Sequence, residues 1–216
     1  MSMNQSYAVF GLGLYGKALA TELVRSGAEV LAVDINEDIV NSATADIPYC
    51  KCADVTDPEV IRQLGIANID VVIITMATDL EASVLATMLC KEVGVKKVIV
   101  KCANEMSRRI LSKVGADQVV IPENEAGTRM AKNLLSDGFV DILEVSRDVS
   151  MVEMAIRPEW VGKNLLELDL RKKYGINVVA IIDDKTVITN IDPSSPFTQS
   201  MRLIVIANVS KISKLK

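Results

Sequence analysis

Three glycines, Gly11, Gly13 and Gly16, stand in the run Val9-Phe10-Gly11-Leu12-Gly13-Leu14-Tyr15-Gly16-Lys17 and constrain this chain more than any other feature. An apolar, strand-like start from Tyr7 to Phe10 precedes them, and a helical pattern through Leu19, Leu23 and Val24 follows. Each glycine has a physical job in a dinucleotide-binding turn. The first allows the sharp strand-to-helix bend, the second lets backbone approach a pyrophosphate, and the third lets helix and strand pack closely. Free N–H groups at the helix start, with the positive end of its dipole, then hold phosphate without basic side chains.

Glycines also gather in turns for steric reasons alone, so the context decides. A second apolar run, Glu29 to Val33, ends at Asp34, eighteen positions after Gly16. The dinucleotide fold places a carboxylate for the ribose hydroxyls roughly 20 residues on. An acid there repels a 2′-phosphate, which disfavours NADP.

Strand and helix patterns alternate through the first part of the chain, as an α/β fold requires. The expected strands are Tyr7–Phe10, Glu29–Val33, Tyr49–Lys51, Val71–Thr75, Val98–Lys101 and Gln118–Ile121. Helical segments fall near Leu14–Ser26, Glu37–Ala45, Pro58–Leu64, Leu80–Val93, Glu105–Val114 and Glu125–Leu135, and Pro58 follows a capping Asp57. The reading is a Rossmann-like, doubly wound parallel sheet over 1–135. Residues 136–216 read as a connector through Ser150 and then a small α+β domain. Its expected elements are strands Met151–Ile156, Asn177–Ile182, Thr186–Thr189 and Leu203–Ala207, a helix Asn164–Lys172, and a turn at Asp183-Asp184-Lys185.

Composition removes several function classes. The chain has 216 residues, half of them hydrophobic, so a substantial core can be buried. A formal charge of −4, with one Trp, four Tyr and three Phe, argues against a nucleic-acid binder using a basic groove and base stacking. The start, Met1-Ser2-Met3-Asn4-Gln5, shows no signal peptide, and no apolar run is long enough to span a bilayer, so an intracellular, cytoplasmic protein is expected. Cys50, Cys52, Cys90 and Cys102 read as buried, reduced thiols. There is no histidine, which removes Ser-His-Asp and Cys-His nucleophiles, His-ligated metals and the usual pH switch.

Ligand groups in a doubly wound sheet come from the carboxyl ends of its strands. Beyond the loop Gly11, Leu12, Gly13, Leu14, Tyr15 and Gly16, that rule selects Asp34 and Ile35 after the second strand. It adds Asp54 and Val55 after the third, for the adenine edge and face, and Met76 and Ala77 after the fourth, where backbone can pass phosphate or ribose. Lys101 ends the fifth strand, as a screen for phosphate charge or as a surface lysine. Glu123 follows the sixth, either capping the next helix or meeting a terminal phosphate through a divalent cation such as Mg²⁺ or Ca²⁺.

Taken together, residues 9–16, Val-Leu-Ala-Val-Asp (30–34), Ala-Asp-Val-Thr-Asp (53–57), Val-Lys-Cys-Ala-Asn (100–104) and Gly-Ala-Asp-Gln-Val-Val-Ile-Pro-Glu (115–123) resemble the RCK domain. That is the regulator of potassium conductance found in the cytosolic KtrA and TrkA proteins of bacteria. Leu-Asp-Leu-Arg-Lys-Lys-Tyr-Gly-Ile-Asn-Val-Val-Ala-Ile (168–181) resembles the family's C-terminal domain. The resemblance implies a homo-oligomer built from dimers, an octameric gating ring beneath a membrane potassium-translocating subunit of KtrB or TrkH type. It implies that an adenine nucleotide (ATP, ADP, NAD or NADH) in the N-terminal cleft changes the ring's shape. In some members the C-terminal dimer binds cyclic di-AMP, a pocket that by position would use Asp169, Arg171, Asn177 and Pro193. Many KtrA proteins have Gly-Arg-Phe-Gly where this chain has Gly13-Leu14-Tyr15-Gly16, so the family's arginine contact to an ATP γ-phosphate is missing.

Two functions of different kinds remain. One is a nucleotide-gated regulatory subunit with no chemistry of its own. The other is an NAD-dependent dehydrogenase with a small substrate domain, which would need a positioned acid or base that the last ~80 residues do not offer.

Overall fold

The computed structural model describes residues 5–134, 139–146 and 148–212. Six strands form the first sheet: β1 (Ser6–Phe10), β2 (Glu29–Asp34), β3 (Tyr49–Cys52), β4 (Val71–Ile74), β5 (Lys97–Lys101) and β6 (Gln118–Val120). Every neighbouring pair is parallel, in the order β3-β2-β1-β4-β5-β6. The helices between them are α1 (Leu14–Arg25), α2 (Glu37–Ala43), α3 (Pro58–Gln63), α4 (Leu80–Glu92) and α5 (Glu105–Val114). This is the doubly wound Rossmann order.

Covering a parallel sheet on both faces demands strands that are apolar on both sides. Val71-Val72-Ile73-Ile74 in β4 is buried throughout. Strand alternation then sorts side chains into two cores. Ala8, Phe10, Val72, Ile74, Val98 and Val100 join one, while Val9, Val30, Ala32, Val71 and Ile73 join the other. Side-chain caps fix where the helices begin. Asn36, Asp57, Asp79 and Asn104 each accept backbone N–H groups from the first turn that follows, each such cap being worth about 1 kcal/mol.

Contacts divide the chain into one compact unit ending at Pro122 and a second beginning at Glu123. Helix α6 (Pro122–Leu134) therefore falls with the second unit, whereas the sequence pattern alone puts the boundary after residue 135. The helix begins at Pro122, three residues earlier than expected, because proline at a first helical position has no N–H to satisfy.

The second unit holds an antiparallel sheet of β7 (Phe139–Glu144), β8 (Val149–Ala155), β9 (Ile176–Asp183), β10 (Thr186–Ile188) and β11 (Arg202–Asn208), in the order β10-β9-β11-β8-β7. Short helices α7 (Leu165–Leu168), α8 (Leu170–Tyr174) and α9 (Val209–Ile212) complete it. Trp160, Phe197, Ile176 and Leu203 centre its core, with the Trp160 and Tyr174 rings 5.6 Å apart. The hairpin turn at Asp183–Lys185 stands as expected, with Asp184 in a left-handed conformation (φ +53°) that pairs Asp183 with Thr186.

Two expectations fail here. The sequence predicts a connector over residues 136–150, yet 139–144 form β7, paired antiparallel with β8. Its register shifts between Phe139 and Asp141, and that extra residue breaks the alternation that would have marked a strand. The single helix expected over Asn164–Lys172 is split at Asp169, which adopts φ +43° and ψ +50°. Of the expected connector, 136–138 and 147 lie outside the described residues, as do Lys214 and Lys216 of the basic terminus.

Candidate nucleotide-binding loop and its surroundings

The chain turns from β1 into α1 at the point where the order of strands reverses, between β1 and β4. That switch point leaves a crevice at the carboxyl ends of the strands. The three glycines meet three different demands there. Gly11 has φ +90°, and its N–H donates to Val33 O at 2.8 Å, tying the loop to β2. At Gly16 a Cβ would lie 2.0 Å from Gly11 O and 2.6 Å from Thr75 Oγ1, so only glycine lets α1 close on the turn. Gly13 differs from both. Its φ is an ordinary −60°, and a Cβ there would meet nothing within 4 Å. Neither backbone conformation nor packing asks for glycine at 13.

Asp34 braces this loop. Its Oδ2 accepts the Leu12 N–H at 2.6 Å and its Oδ1 accepts the Asn36 N–H at 2.9 Å. Each oxygen keeps a second acceptor position for a ribose hydroxyl. Thr75, directly after β4, braces the loop from the other side, its hydroxyl lying 2.8 Å from Gly11 O and 3.2 Å from Phe10 O. In the sequence Thr75 is legible only as the end of a strand, and nothing local marks this role. Met76 packs against the first core and comes within 3.0 Å of where a Gly11 Cβ would sit, while the Ala77 N–H folds back onto Thr75 O.

Lys101 and Tyr15 meet at this site. The ammonium nitrogen of Lys101 lies 5.2 Å from the centre of the Tyr15 ring, within cation–π range. The nearer basic residue in sequence, Lys17, is directed elsewhere, donating to Ser42 O at 2.9 Å. Leu14 projects into solvent, 95% exposed, and Ile35 is exposed as well.

Asp54 follows β3, where the Ala53 N–H donates to Asp34 O at 3.0 Å. The Thr56 hydroxyl and N–H both donate to Asp54 and hold its carboxyl below the usual range, so it is ionised and partly occupied. Val55, expected against the adenine face, instead puts its side chain in the core at 5% exposure. Any contact with a base at 54–55 falls to Asp54 and to backbone. Glu123 lies exposed in the first turn of α6, in the second unit, where the helix dipole favours a carboxylate.

In the second unit, Asp169 sits at the α7–α8 junction, with Lys172 Nζ 3.6 Å from its carboxylate. Arg171 is exposed on α8 and Asn177 is exposed on β9. Pro193 lies in the loop before β11, where its carbonyl accepts the Leu166 N–H at 3.4 Å. Of the four thiols, none of which is in a disulfide, Cys90 and Cys102 are buried as expected, Cys50 is half-buried, and Cys52 is exposed. The last two lie on β3, the sheet's edge strand, which is covered less than a central one.

A doubly wound sheet with a glycine loop at its switch point defines the nucleotide-binding class of α/β proteins. Within that class, residues 7–122 match the TrkA-N domain and residues 151–216 the TrkA-C domain, and the chain belongs to this TrkA family. The Ktr system potassium uptake protein C of Bacillus subtilis (strain 168) is 39% identical over 214 residues, 99% of this chain and 97% of that one. The Ktr system potassium uptake protein A of Vibrio alginolyticus is 35% identical over 99% of this chain and 97% of its own length. Among solved structures, the GsuK channel has the same fold, with a TM-score of 0.69 at 16% identity over 99% of this chain. The chain spans 39% of that channel chain. Among the described residues no helix is long and apolar enough to cross a membrane.

Proposed function

We propose that this chain is the nucleotide-binding regulatory subunit of a potassium uptake system, which controls ion flow without catalysing a reaction. Gly13 carries the nucleotide half of that reading. A residue free to bear any side chain is glycine in the one place where a Cβ would stand between the α1 N-terminus and an incoming phosphate. The residues present fit such a ligand: bare N–H groups at the start of α1 for a pyrophosphate, Asp34 for ribose hydroxyls, Asp54 near the base, and Lys101 for phosphate charge. Full-length similarity to Ktr potassium uptake proteins carries the other half, and it favours a regulator over the NAD-dependent dehydrogenase.

The ligand is an adenine nucleotide, ATP or ADP, or NAD or NADH. Among the described residues no three His, Cys, Asp or Glu side chains gather to hold a metal, so Mg²⁺ or Ca²⁺ would arrive with the phosphates and meet Glu123. Asp169, Arg171, Asn177 and Pro193 would hold cyclic di-AMP as a second effector, guanidinium to phosphate and amide to adenine. The working form is a homo-oligomer, a dimer at least and an octameric ring in full assembly, held at the cytoplasmic face of the membrane by a potassium-translocating partner. Exposed Met88 on α4, with Met106 and Ile110 on α5, supplies apolar surface for contact between copies.

Thermal-shift measurement against ATP, ADP, AMP, NAD, NADH and cyclic di-AMP tests the reading. A ligand at 100 times its Kd adds about 2.7 kcal/mol to stability, which is readily seen. Silence from the whole panel sinks the nucleotide reading. Stereospecific hydride transfer to or from any of a set of hydroxy acids revives the dehydrogenase.

A further inference from the structure

We propose that Thr75 is a positioning residue for the nucleotide loop: its hydroxyl and the Asp34 carboxylate hold one peptide group, Gly11–Leu12, from its two ends. Affinity for the nucleotide then depends on a hydroxyl at the end of β4 that acts through the loop. This inference rests on the nucleotide-binding reading above and deepens it.

The Gly11–Leu12 peptide is the one that needs holding. The peptide before it, Phe10–Gly11, is fixed by the sheet: its N–H donates to Val33 O and its carbonyl accepts the Thr75 N–H, both at 2.8 Å. There the ladder ends. Gly11 has φ +90° and no Cβ, so its own backbone does little to orient the peptide that follows. A turned peptide would aim the Gly11 carbonyl at Asp34, setting an acceptor against the carboxylate that is to read the ribose hydroxyls. Two bonds oppose that turn. The Leu12 N–H donates to Asp34 Oδ2 at 2.6 Å, and the Thr75 hydroxyl donates to Gly11 O at 2.8 Å.

A threonine hydroxyl has one proton to give. Phe10 O is farther away, at 3.2 Å, and already has the Thr75 N–H, so the proton goes to Gly11 O. The side chain is also well mounted. The Thr75 carbonyl accepts the Ala77 N–H at 3.0 Å, and Met76 O accepts the Ser83 hydroxyl at 3.0 Å, which ties the turn to α4. Branching at Cβ restricts the rotamers of Thr75. Gly11 and Gly16 close around the hydroxyl, where a Cβ on either would lie 3.0 Å or 2.6 Å from Oγ1. One residue therefore extends the grip of β4 on β1 by one peptide, using its side chain where its backbone has no further donor.

Substitution at residue 75 isolates the hydroxyl, because Thr75→Ser keeps it and Thr75→Ala does not. Calorimetry of the full chain with ADP reads affinity, and hydrogen exchange resolved at the Leu12 amide of the unliganded protein reads the peptide. Thr75→Ala should weaken ADP about two- to tenfold, the worth of one neutral hydrogen bond, while Thr75→Ser binds close to wild type. The Leu12 N–H is bonded to Asp34 and not to Thr75, so a purely local loss at residue 75 would leave its exchange alone. It should exchange faster in Thr75→Ala and at the wild-type rate in Thr75→Ser.

Three outcomes overturn the inference while sparing the nucleotide reading, all with ADP bound by the wild type. In one, Thr75→Ala binds ADP as the wild type does. In another, its affinity falls while exchange at Leu12 stays unchanged. In the last, Thr75→Ser loses as much as Thr75→Ala, and the methyl group rather than the hydroxyl is what matters. If the wild type binds no ADP, the nucleotide reading itself fails and this inference falls with it. Melting temperatures separate a binding loss from a folding loss, and Thr75→Val, which keeps the branched shape without the donor, replaces Thr75→Ala if that variant does not fold.

Discussion

The Leu12 amide donates to the Asp34 carboxylate at 2.6 Å, joining the middle of the glycine loop to the end of the second strand. The residue read as the ribose ligand is also a brace for the phosphate-binding turn. Leu12 is itself buried, so its N–H has no water to turn to if the carboxylate goes. Asp34→Ala should therefore act twice. Leaving the amide unpaired costs about 1–3 kcal/mol of stability, and losing the charged acceptor weakens adenine-nucleotide binding by about 1.5–3 kcal/mol. Calorimetry with ADP and a melting curve of the apo variant check the two effects separately. Unchanged affinity would remove Asp34 from the binding site while leaving its bracing role intact.

Gly13 and Gly16 should fail in opposite ways. Gly13→Val places a branched side chain in open space, so the variant should keep its melting temperature and lose nucleotide binding. Gly16→Ala drives a Cβ into Gly11 O and Thr75 Oγ1, and the turn must shift to admit it. Overpacking of that kind costs about 1–3 kcal/mol, or a fall of roughly 2–12 °C for a chain of this size. Scanning calorimetry beside a binding titration distinguishes the two. Full binding by a well-folded Gly13→Val protein would mean that the glycine serves nothing outside the chain.

What the sequence disclosed and what it hid follow from how far each feature reaches. The six parallel strands and the Asp57–Pro58 helix start are written in local period and in capping chemistry, and they stand as expected. Thr75 was hidden because its role exists only once β4 lies beside β1, a long-range fact that no window of residues contains. Val55 was misjudged because a single residue past a strand end gives no sign of which way its side chain turns. The break at Asp169 was missed because aspartate in a left-handed conformation announces itself far less than glycine does. Strand β7 was lost to one inserted residue.

Cysteine labelling offers a direct view of the Asp34 end of the site. Cys52 is exposed, pairs in register with Asp34, and has its Sγ 3.4 Å from Ile35 O. Burial pushes the Cys90 thiol up to about 12, so it stays protonated and inert at neutral pH. Iodoacetamide followed by mass spectrometry should modify Cys52 first and leave Cys90 untouched in the native protein. Saturating ADP or NAD should slow labelling of Cys52. Equal rates with and without saturating ligand would place the bound nucleotide away from Ile35.

An assembly larger than one chain should be visible by light scattering at tens of micromolar, with and without nucleotide. The exposed apolar side chains of Met88 on α4 and of Met106 and Ile110 on the neighbouring helix α5 motivate the expectation, since exposed apolar surface is what contact between copies would cover. Met106→Glu should reduce the mass without lowering the melting temperature of the single chain, because the side chain is already 65% exposed. A wild-type monomer under every condition would count decisively against a gating ring.

Nucleotide identity, rather than mere occupancy, should switch the assembly. A ligand moves a conformational equilibrium only through differential affinity for its states. ATP and ADP differ by one phosphoryl group, so discrimination has to arise where the γ-phosphate lies. Leu14 offers no cation there, which leaves Lys101 and a divalent ion held with Glu123 as the groups able to feel the extra charge. Like charges need that ion between them, so Mg²⁺ or Ca²⁺ should tighten ATP more than ADP, and a chelator should erase the difference. Glu123→Gln should erase it too, while affinity for ADP stays near wild type. Calorimetry with both nucleotides, in cation and in chelator, for wild type and variant, reads the four ratios. If cation removal and the substitution both leave the ATP/ADP ratio unchanged, the cation mechanism fails, and a dinucleotide such as NADH becomes the signal to pursue.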